Sequence, residues 1–304
     1  MPFNPRRGRR AQARAARPQA ARARAAQAAR ARVARAAGLA VLAGAPLVLG
    51  GCALSSAEPH SILHRHSLTI GVKGDQPGLG QLVNGRYQGF DVDVATYVAK
   101  RLGVPPSRIT FKTTPSSVRE KVLKDGTVDM VVATYSITQA RKTQITFAGP
   151  YYVAHQDTMV RSNDTAIRSV HDLAGKTICA VKGSNSWKRI TDERSIPAVR
   201  VDVDKYSECM PLLTGGKLEA FSTDDLILAG FAAGHPEVHL IGAPFTDEKY
   251  GIGLRKGDLA GCEAVNRILT RMYQDGSARS YLNHWFADTG ARLGDSVPQF
   301  EGCS

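Results

Sequence analysis

Short apolar runs of strand type alternate with helical patterns in the first part of the chain beyond residue 67. Residues 68–73, 109–112 and 128–132 predict strands, and residues 91–102 and 116–125 predict helices. Asp91 is the expected N-cap of the first helix, and a glycine directly follows each helix, as is common at a helix C-terminus. Strands that alternate with helices in this way predict a parallel sheet with helices on both faces.

The same alternation is repeated further along the chain. Strands are predicted at 177–181, 199–203, 220–222 and 238–241, with helices near Ser186, Ser207 and Asp224 between them; a strand at 251–254 and helices at 261–275 and 277–286 follow. This order predicts two lobes, the second inserted in the first, with chain crossings near 155–160 and 243–250. We expect residues 67–154 and 246–304 in lobe 1 and residues 155–245 in lobe 2, with the ligand cleft between them.

The formal charge of +13 is concentrated in an N-terminal tail. Residues 1–35 contain eleven arginines and no acid, and without them the chain has 29 basic and 27 acidic side chains. Binding of nucleic acid requires a basic face on the folded domain. The charge therefore gives no support for a nucleic-acid partner, and we expect none.

An apolar stretch, residues 36–49, follows this tail and ends in Leu-Gly-Gly-Cys at residues 49–52. It is too short for a permanent membrane helix, and a basic region before a short apolar one predicts a secretory signal over residues 1–51. The last four residues resemble a lipobox, which implies cleavage before Cys52 and lipidation of its sulfur. Residues 52–66 would then be the anchor and a polar tether at the extracellular face of the membrane. Val33 is an alternative start.

Four cysteines remain, Cys179, Cys209, Cys262 and Cys303. An even number in an exported protein predicts disulfides, for which three connectivities are possible. Four buried free thiols are the alternative. No metal site is predicted, because no two of these cysteines lie within a short ligand spacing.

Residues 134–141, Thr-Tyr-Ser-Ile-Thr-Gln-Ala-Arg, directly follow the predicted strand 128–132. The guanidinium of Arg141 offers two parallel donors to a carboxylate, and the nearby hydroxyls of Thr134 and Ser136 can complete its solvation. Ligands of α/β folds dock at loops that follow strand ends. The segment therefore indicates a site for a free amino acid, although an ordinary surface arginine remains an alternative for these eight residues alone.

Together with Ile-Thr-Phe-Ala-Gly-Pro-Tyr-Tyr at residues 145–152, this segment resembles the signature of family 3 of the bacterial extracellular solute-binding proteins. These are the amino-acid receptors of ABC importers, and the resemblance runs from Leu68 to the C-terminus. It is strongest to the actinobacterial glutamate-binding lipoproteins, through blocks at 75–78, 89–95 and 223–225. It implies a two-lobe α/β fold of the type II periplasmic-binding-protein class, and disulfides Cys179–Cys209 and Cys262–Cys303.

The resemblance also implies which side chains contact the ligand. They are Lys73, Gln76, Thr134, Ser136, Arg141, Asn185, Ser186 and Asp224. Arg141, Ser136 and Thr134 match the contacts to the carboxylate and amino groups in lobe 1. In lobe 2, Asn185 and Ser186 open a helix, whose N-terminus suits an anion, and Asp224 matches the carboxylate that holds the ammonium; its alternative role is a helix cap.

Lys73 is the residue that we expect to contact the side chain of the ligand. Relatives that bind basic amino acids carry an acid at this position, so a lysine favours an acidic ligand, glutamate before aspartate. A solvated lysine at a strand end is the alternative. Gln76 stands where many relatives have an aromatic residue that stacks on the ligand. Asn185 and Trp187 depart from the family pattern, in which threonine and a small or polar residue are usual, and this weakens the distinction between glutamate and glutamine.

The sequence therefore predicts a lipid-anchored receptor that closes about a hinge on an acidic amino acid. We expect a monomer that presents its closed form to an ABC permease and its ATPase, with no cofactor, no metal and no catalytic residues. A glutamine or asparagine receptor, a dehydratase on the same fold and a sensor module are the alternatives. No nucleotide-binding glycine motif or nucleophile elbow stands at a strand-to-helix turn.

Overall fold

The computed structural model describes residues 60–294 and 296–303, which belong to one compact unit, Ser55–Ser304. The predicted signal, Cys52 and the first part of the predicted tether lie outside the described residues. Within the described ranges, none of the helices combines the length and the apolar character needed to cross a bilayer.

The described residues form an α/β structure. Its strands are β1 Leu68–Val72, β2 Asp75–Gln76, β3 Gly80–Val83, β4 Arg86–Gln88, β5 Ile109–Thr113, β6 Met130–Val131, β7 Thr146–Ala154, β8 Gln156–Arg161, β9 Thr177–Val181, β10 Val199–Val203, β11 Phe221–Asp224, β12 Val238–Leu240 and β13 Glu248–Leu254. Its α-helices are α1 Phe90–Arg101, α2 Arg119–Lys124, α3 Gln139–Lys142, α4 Ser186–Thr191, α5 Cys209–Thr214, α6 Asp225–Ala232, α7 Leu259–Gln274 and α8 Ser277–Phe286.

Lobe 1 is built on a five-stranded sheet with the order β5-β1-β6-β13-β7. Strand β1 is parallel to β5 and β6, as the alternating pattern predicts, and four of its five residues are buried. Strand β13 is antiparallel to both β6 and β7. Since β7 carries the chain out of this lobe and β13 carries it back, the two must run in opposite directions, and the sheet is mixed rather than parallel throughout.

Lobe 2 contains a parallel pair, β9 with β10, and an antiparallel sheet with the order β11-β8-β12. The chain passes from β7 to β8 through the single residue His155 and returns through residues 241–247 to β13. At the return crossing Glu248, the first residue of β13, is paired with Ala154, the last residue of β7. Both crossings predicted from the sequence thus lie side by side.

Helix α1 differs from its prediction at its N-terminus. The N-cap is Gly89, with a φ of 127°, and Asp91 lies inside the first turn and is fully buried. Its carboxylate accepts hydrogen bonds from the Thr134 amide (2.9 Å) and the Tyr151 hydroxyl (2.6 Å), so the expected capping role of Asp91 is wrong. Gly89 is required here because a Cβ would lie 2.2 Å from the Leu79 carbonyl oxygen.

The sequence pattern does not predict the small antiparallel sheet β2-β3-β4 or the long strand β7. The small sheet consists of two to four residues per strand with a mixed burial pattern, too little for a period of two to be visible. Strand β7 contains Gly149 and Pro150, which normally indicate a turn rather than the interior of a strand.

The end of the predicted tether is packed on lobe 1. The Ser61 hydroxyl donates to Asp258 Oδ1 (2.7 Å), and the Ile62 amide donates to Asp258 Oδ2 (2.9 Å). Ser61 and Ile62 are both buried, at 3% exposure. The polar composition of this region predicts a tether, but the Ser61 hydroxyl and the buried Ile62 attach its end to Asp258, the N-cap of α7.

The structure contains disulfides Cys179–Cys209 and Cys262–Cys303, the pairing that the resemblance implies. The first joins β9 to the start of α5 within lobe 2. The second joins α7 to the C-terminal segment, which also hydrogen-bonds to strand β7 through the Glu301 amide and the Gly149 carbonyl (3.0 Å). Each disulfide therefore holds together parts of a single lobe.

Candidate functional site

The carboxyl ends of three neighbouring strands form the lobe 1 side of the site. Lys73 directly follows β1, Arg119 lies beyond the end of β5, and Thr134 follows β6. Since these strands are parallel neighbours in the order β5-β1-β6, their ends meet at one edge of the sheet. The three strands thus bring three polar side chains to the same edge of the sheet.

Lys73 is buried, with 2% exposure, rather than solvated. Its ammonium donates to the Ser116 hydroxyl (2.5 Å) and lies 5.5 Å from the centre of the Tyr206 ring. Burial, and secondarily the nearby Arg119 guanidinium, hold the pKa of Lys73 well below its usual value. The cation is therefore held in an environment that lacks enough negative charge to match it.

Thr134 and Gln76 are in contact, as expected for two residues of one site. The Thr134 hydroxyl donates to Gln76 Oε1 (3.1 Å), and Thr134 has a φ of 44°, which is rare for a threonine. The buried Asp91 carboxylate holds the Thr134 amide in this geometry. Gln76 is fully buried and its Nε2 has no hydrogen-bond partner among the described residues. A buried donor without an acceptor is costly, and it suits a ligand oxygen.

Arg141 is buried at 7% exposure and lies on the short helix α3, whose N-cap is Thr138. Its Nη1 donates to the Ser136 carbonyl (2.7 Å) and its Nη2 donates to the Gly183 carbonyl of lobe 2 (2.9 Å). Its Nε lies 3.4 Å from a Glu120 carboxylate oxygen. Burial, and secondarily Arg119, lower the pKa of Arg141 to about 10.

Arg119 belongs to the same cluster and was not among the predicted residues. It is 2% exposed, its Nη1 donates to the Ala133 carbonyl (3.0 Å), and its guanidinium lies 4.0 Å from the centre of the Tyr135 ring. Its Nη2 reaches the Gly183 carbonyl (3.4 Å), and its Nε has no partner among the described residues. The rule that ligands dock at loops after strand ends, which identified Thr134, applies equally to the end of β5. It could have identified Arg119 from the sequence.

The lobe 2 side is the loop between β9 and α4. A Cβ on Gly183 would lie 2.5 Å from the Ser116 carbonyl carbon, so the two lobes touch here through backbone. Ser186 is buried and its hydroxyl is 3.0 Å from that of Thr223. Asn185 is the N-cap of α4, but its side chain makes no capping bond and donates instead to Glu248 (3.0 Å). Its amide is therefore directed at the hinge strand β13.

Asp224 ends β11 and is the N-cap residue of α6, without a side-chain capping bond. It is 5% exposed and accepts a hydrogen bond from the Tyr250 hydroxyl (2.7 Å). Burial, followed by the negative charge of Glu248, raises the pKa of Asp224 to about 8. A cationic partner stabilises the ionised form of a carboxylate in this position. The Asp224 side chain does not cap α6.

The cluster as a whole has an excess of buried positive charge. Three cations, Lys73, Arg119 and Arg141, lie close enough that each of Lys73 and Arg141 has its pKa lowered by Arg119. On the acidic side, burial raises the pKa of Asp91 to about 7. Buried charges of one sign are stable only when a counter-charge is supplied. The arrangement therefore favours a guest that brings negative charge to the three cations and positive charge to Asp224.

A cavity of about 700 Å³ is lined by Arg141 together with segments of both lobes. Segments 137–144 and 180–189 contribute most of its lining, and Glu193, Arg200 and Glu301 complete it. Among the described residues, Lys73, Gln76, Thr134 and Asp224 do not line it. Of the eight predicted ligand residues, Arg141 and Asn185 line this cavity and the other six do not.

Comparison with known proteins agrees with this geometry. Residues 68–288 match the family described as bacterial extracellular solute-binding proteins, family 3. The chain belongs to that family. This solute-binding protein is similar to the glutamate-binding protein GluB of Corynebacterium efficiens, with 36% identity over 272 residues, 85% of this chain and 92% of the relative. As a member of an extracellular family, it acts in the periplasm or outside the cell.

Two further relatives of this solute-binding protein differ in what they bind. It is 34% identical to the ABC transporter glutamine-binding protein GlnH of Bacillus subtilis over 234 residues, 76% of this chain and 85% of the relative. An ancestral arginine-binding protein bound to arginine has the same fold, with a TM-score of 0.68, 31% identity and coverage of 73% of this chain and 99% of the other. The two-lobe type II fold predicted from the sequence is confirmed.

Proposed function

We propose that this protein is the receptor of an ABC importer and that it captures glutamate between its lobes. The observation that carries the proposal is the cluster of three buried cations, with the Asp224 carboxylate buried in lobe 2 and the Asp91 carboxylate already engaged by Thr134 and Tyr151. Glutamate brings two carboxylates and one ammonium, which matches this charge pattern. Similarity to GluB supports glutamate, and the charge argument stands independently of it.

Each charged group of the ligand has a proposed partner. The α-carboxylate is bound by Arg141, with Ser136 and Thr134 beside it, and the ammonium is bound by Asp224. A carboxylate is a stronger acceptor than the Gly183 carbonyl, to which Arg141 and Arg119 now donate (2.9 and 3.4 Å). Gln76 Nε2, which lacks a partner among the described residues, donates to the ligand.

The side chain of the ligand is bound by Lys73 and Arg119. Both are nearly fully buried, and Lys73 lies in the position where an acid would be needed for a basic amino acid. Arginine as the ligand would place its cation beside two others. Glutamine, which has no side-chain charge, is the second candidate, favoured by similarity to a glutamine-binding protein. Bound glutamine would supply no side-chain negative charge to offset the repulsion between Lys73 and Arg119.

The ligand selects the closed form because only that form brings both halves of the site together. We propose lobe 1 at residues 67–154 and 246–304 and lobe 2 at residues 155–245, joined by the two crossings. A lipid on Cys52 would hold the protein at the outer face of the membrane, where the closed form meets the permease. The receptor is proposed to act without a reaction of its own, because Asp224 is engaged by the ligand ammonium and Tyr250.

Calorimetric titration of the purified, ligand-stripped protein with glutamate, aspartate, glutamine, asparagine and arginine tests the proposal. We expect glutamate to bind with micromolar affinity, equivalent to about −8 kcal/mol, and at least about tenfold more tightly than glutamine. Arginine is expected not to bind. Incubation with prephenate and arogenate is the control for a dehydratase, and turnover of either, or preference for glutamine, would overturn the assignment.

A further inference from the structure

A buried carboxylate that the proposed ligand contacts do not use lies at the hinge. Glu248 opens strand β13 at the return crossing and is only 1% exposed. Its Oε1 accepts from Arg189 Nε (2.6 Å), and its Oε2 accepts from Arg189 Nη2 (3.4 Å) and Asn185 Nδ2 (3.0 Å). The Thr246 hydroxyl supplies a further bond to Oε1 (3.2 Å). Both oxygens of Glu248 are thus fully engaged.

Two of its three partners, Asn185 and Arg189, come from the other lobe. Asn185 is the N-cap of α4. Arg189 lies in the same helix, directly after Lys188 and beyond the residues that form the lobe 2 side of the site. A forked guanidinium-carboxylate contact is strong and directional. The contact therefore joins the hinge strand to the helix that carries Ser186 into the cleft.

Strand geometry places the Glu248 side chain on the same face of β13 as Tyr250, whose hydroxyl donates to Asp224 (2.7 Å). Burial raises the pKa of Asp224 first, and the charge of Glu248 is the next largest cause. The ionisable or charged groups that face Asp224 come from four elements: Glu248 and Tyr250 of β13, Asp225 of α6, Arg119 of α2 and Tyr206 of the 3₁₀ turn Tyr206–Glu208. Of these, only Glu248 is held in a forked contact by an arginine of the opposite lobe.

We propose that Glu248 and Arg189 are a positioning pair that sets the charge around Asp224 and thereby the strength with which the cleft holds a ligand ammonium. Glu248 disfavours the ionised form of Asp224, and Arg189 offsets part of that effect by neutralising Glu248. In the proposed binding mode neither side chain contacts the ligand. The inference rests on the proposed function, since it requires an amino acid whose ammonium meets Asp224.

Two single variants that break the same contact should act in opposite directions. The readout is the glutamate Kd between pH 5.5 and 9, measured by calorimetry. In the wild type, binding tightens as the pH rises toward about 8, because Asp224 must ionise to receive the ammonium. In E248Q the midpoint of this rise should fall by about 1 pH unit, since a neighbouring like charge is removed. In R189Q it should rise by about 1 pH unit, since Glu248 is left unneutralised.

Two more variants control for disruption of the fold. E193Q removes an exposed carboxylate that Arg189 also contacts (2.5 Å) and should leave the midpoint near that of the wild type. The double variant E248Q/R189Q removes the buried charge together with its partner. Its midpoint should lie above that of E248Q and close to the wild type, and this comparison measures the effect of Arg189 even where R189Q does not fold.

Shifts in the same direction for E248Q and R189Q, or no shift beyond a few tenths of a pH unit, would overturn the inference. The proposed function would still stand in that case, provided that the wild type binds glutamate. A double variant with the same midpoint as E248Q would likewise overturn the inference. Failure of the wild type to bind any of the five amino acids would remove the proposed function and this inference together.

Discussion

At the scale of single residues, the proposed site consists of charged side chains whose burial costs free energy. Lys73 and Arg141 have lowered pKa values and Asp224 has a raised one, in each case mainly because the charged form is removed from water. An opposite charge supplied by a ligand offsets each shift, because it favours the charged form. Without a ligand the site is therefore less stable electrostatically than with a ligand of matching charge, and this difference favours binding.

Replacement of Lys73 by methionine tests this balance at one position. The variant K73M should lose about 100-fold in glutamate affinity, because a ligand carboxylate would lose a buried, charged hydrogen bond. Affinity for glutamine should change far less. The ligand-free variant should be more stable than the wild type, since a lysine with a lowered pKa destabilises the folded state in its charged form. Calorimetry and denaturant unfolding measure the two effects.

The matched control is K182M. Lys182 is exposed and makes a surface ion pair with Asp204 (2.7 Å), so its removal should change glutamate affinity by less than about threefold. An unchanged glutamate Kd in K73M would contradict the assignment of Lys73 to the ligand side chain.

At the scale of elements, the loop between β9 and α4 decides how closely the lobes approach. Gly183 has a φ of 77° and lies against the backbone of Ser116 and Ser117 in lobe 1. A side chain here meets backbone atoms, which cannot move aside as the end of a flexible side chain can. Closure of the cleft therefore requires glycine at position 183, because a Cβ there would clash with the backbone of lobe 1.

The variant G183A should bind glutamate at least about tenfold more weakly, because the closed form acquires a clash worth more than about 1.4 kcal/mol. Gly175 offers a control in the same lobe, with a φ of 73° and no other atom within 4 Å of the place where a Cβ would be added. Both variants carry the cost of a left-handed alanine, about 1–2 kcal/mol of stability. Only G183A should lose affinity in calorimetry, and equal losses in the two would refute closure through this contact.

At the scale of the whole molecule, the two lobes are joined by adjacent crossings while each has its own disulfide. Cys179–Cys209 closes a loop of 30 residues in lobe 2, and Cys262–Cys303 closes one of 41 residues in lobe 1. Neither links one lobe to the other. The covalent framework therefore stabilises each lobe and leaves the hinge free to move.

Replacement of each disulfide by a pair of serines should cost about 3–4 kcal/mol of unfolding free energy in the chain-entropy account. Hydrogen exchange should show where the loss falls: in β9, β10 and α5 for C179S/C209S, and in α7 and β7 for C262S/C303S. Each variant serves as the control for the other. Loss of protection in both lobes from one replacement would show that the lobes are not stabilised independently.

The sequence by itself determined the fold class and the family, and it predicted most residues of the proposed site. Alternating strand and helix patterns, the segment at 134–141 and the lysine at 73 are local features, and strand-end loops bring such residues together in any α/β fold. The paired cysteines follow from an even number in an exported chain and from the resemblance to a family.

Only the tertiary structure decided the roles that depend on distant partners. Asp91 has the sequence of a helix cap and instead holds the Thr134 amide, and Arg119 has the sequence of a solvated helix residue and instead joins the cation cluster. Glu248 lies 59 residues from Arg189 along the chain, and no local pattern relates them. The physical reason is common to all three: the cost of burying a charge depends on which groups surround it, and those groups are brought together by folding.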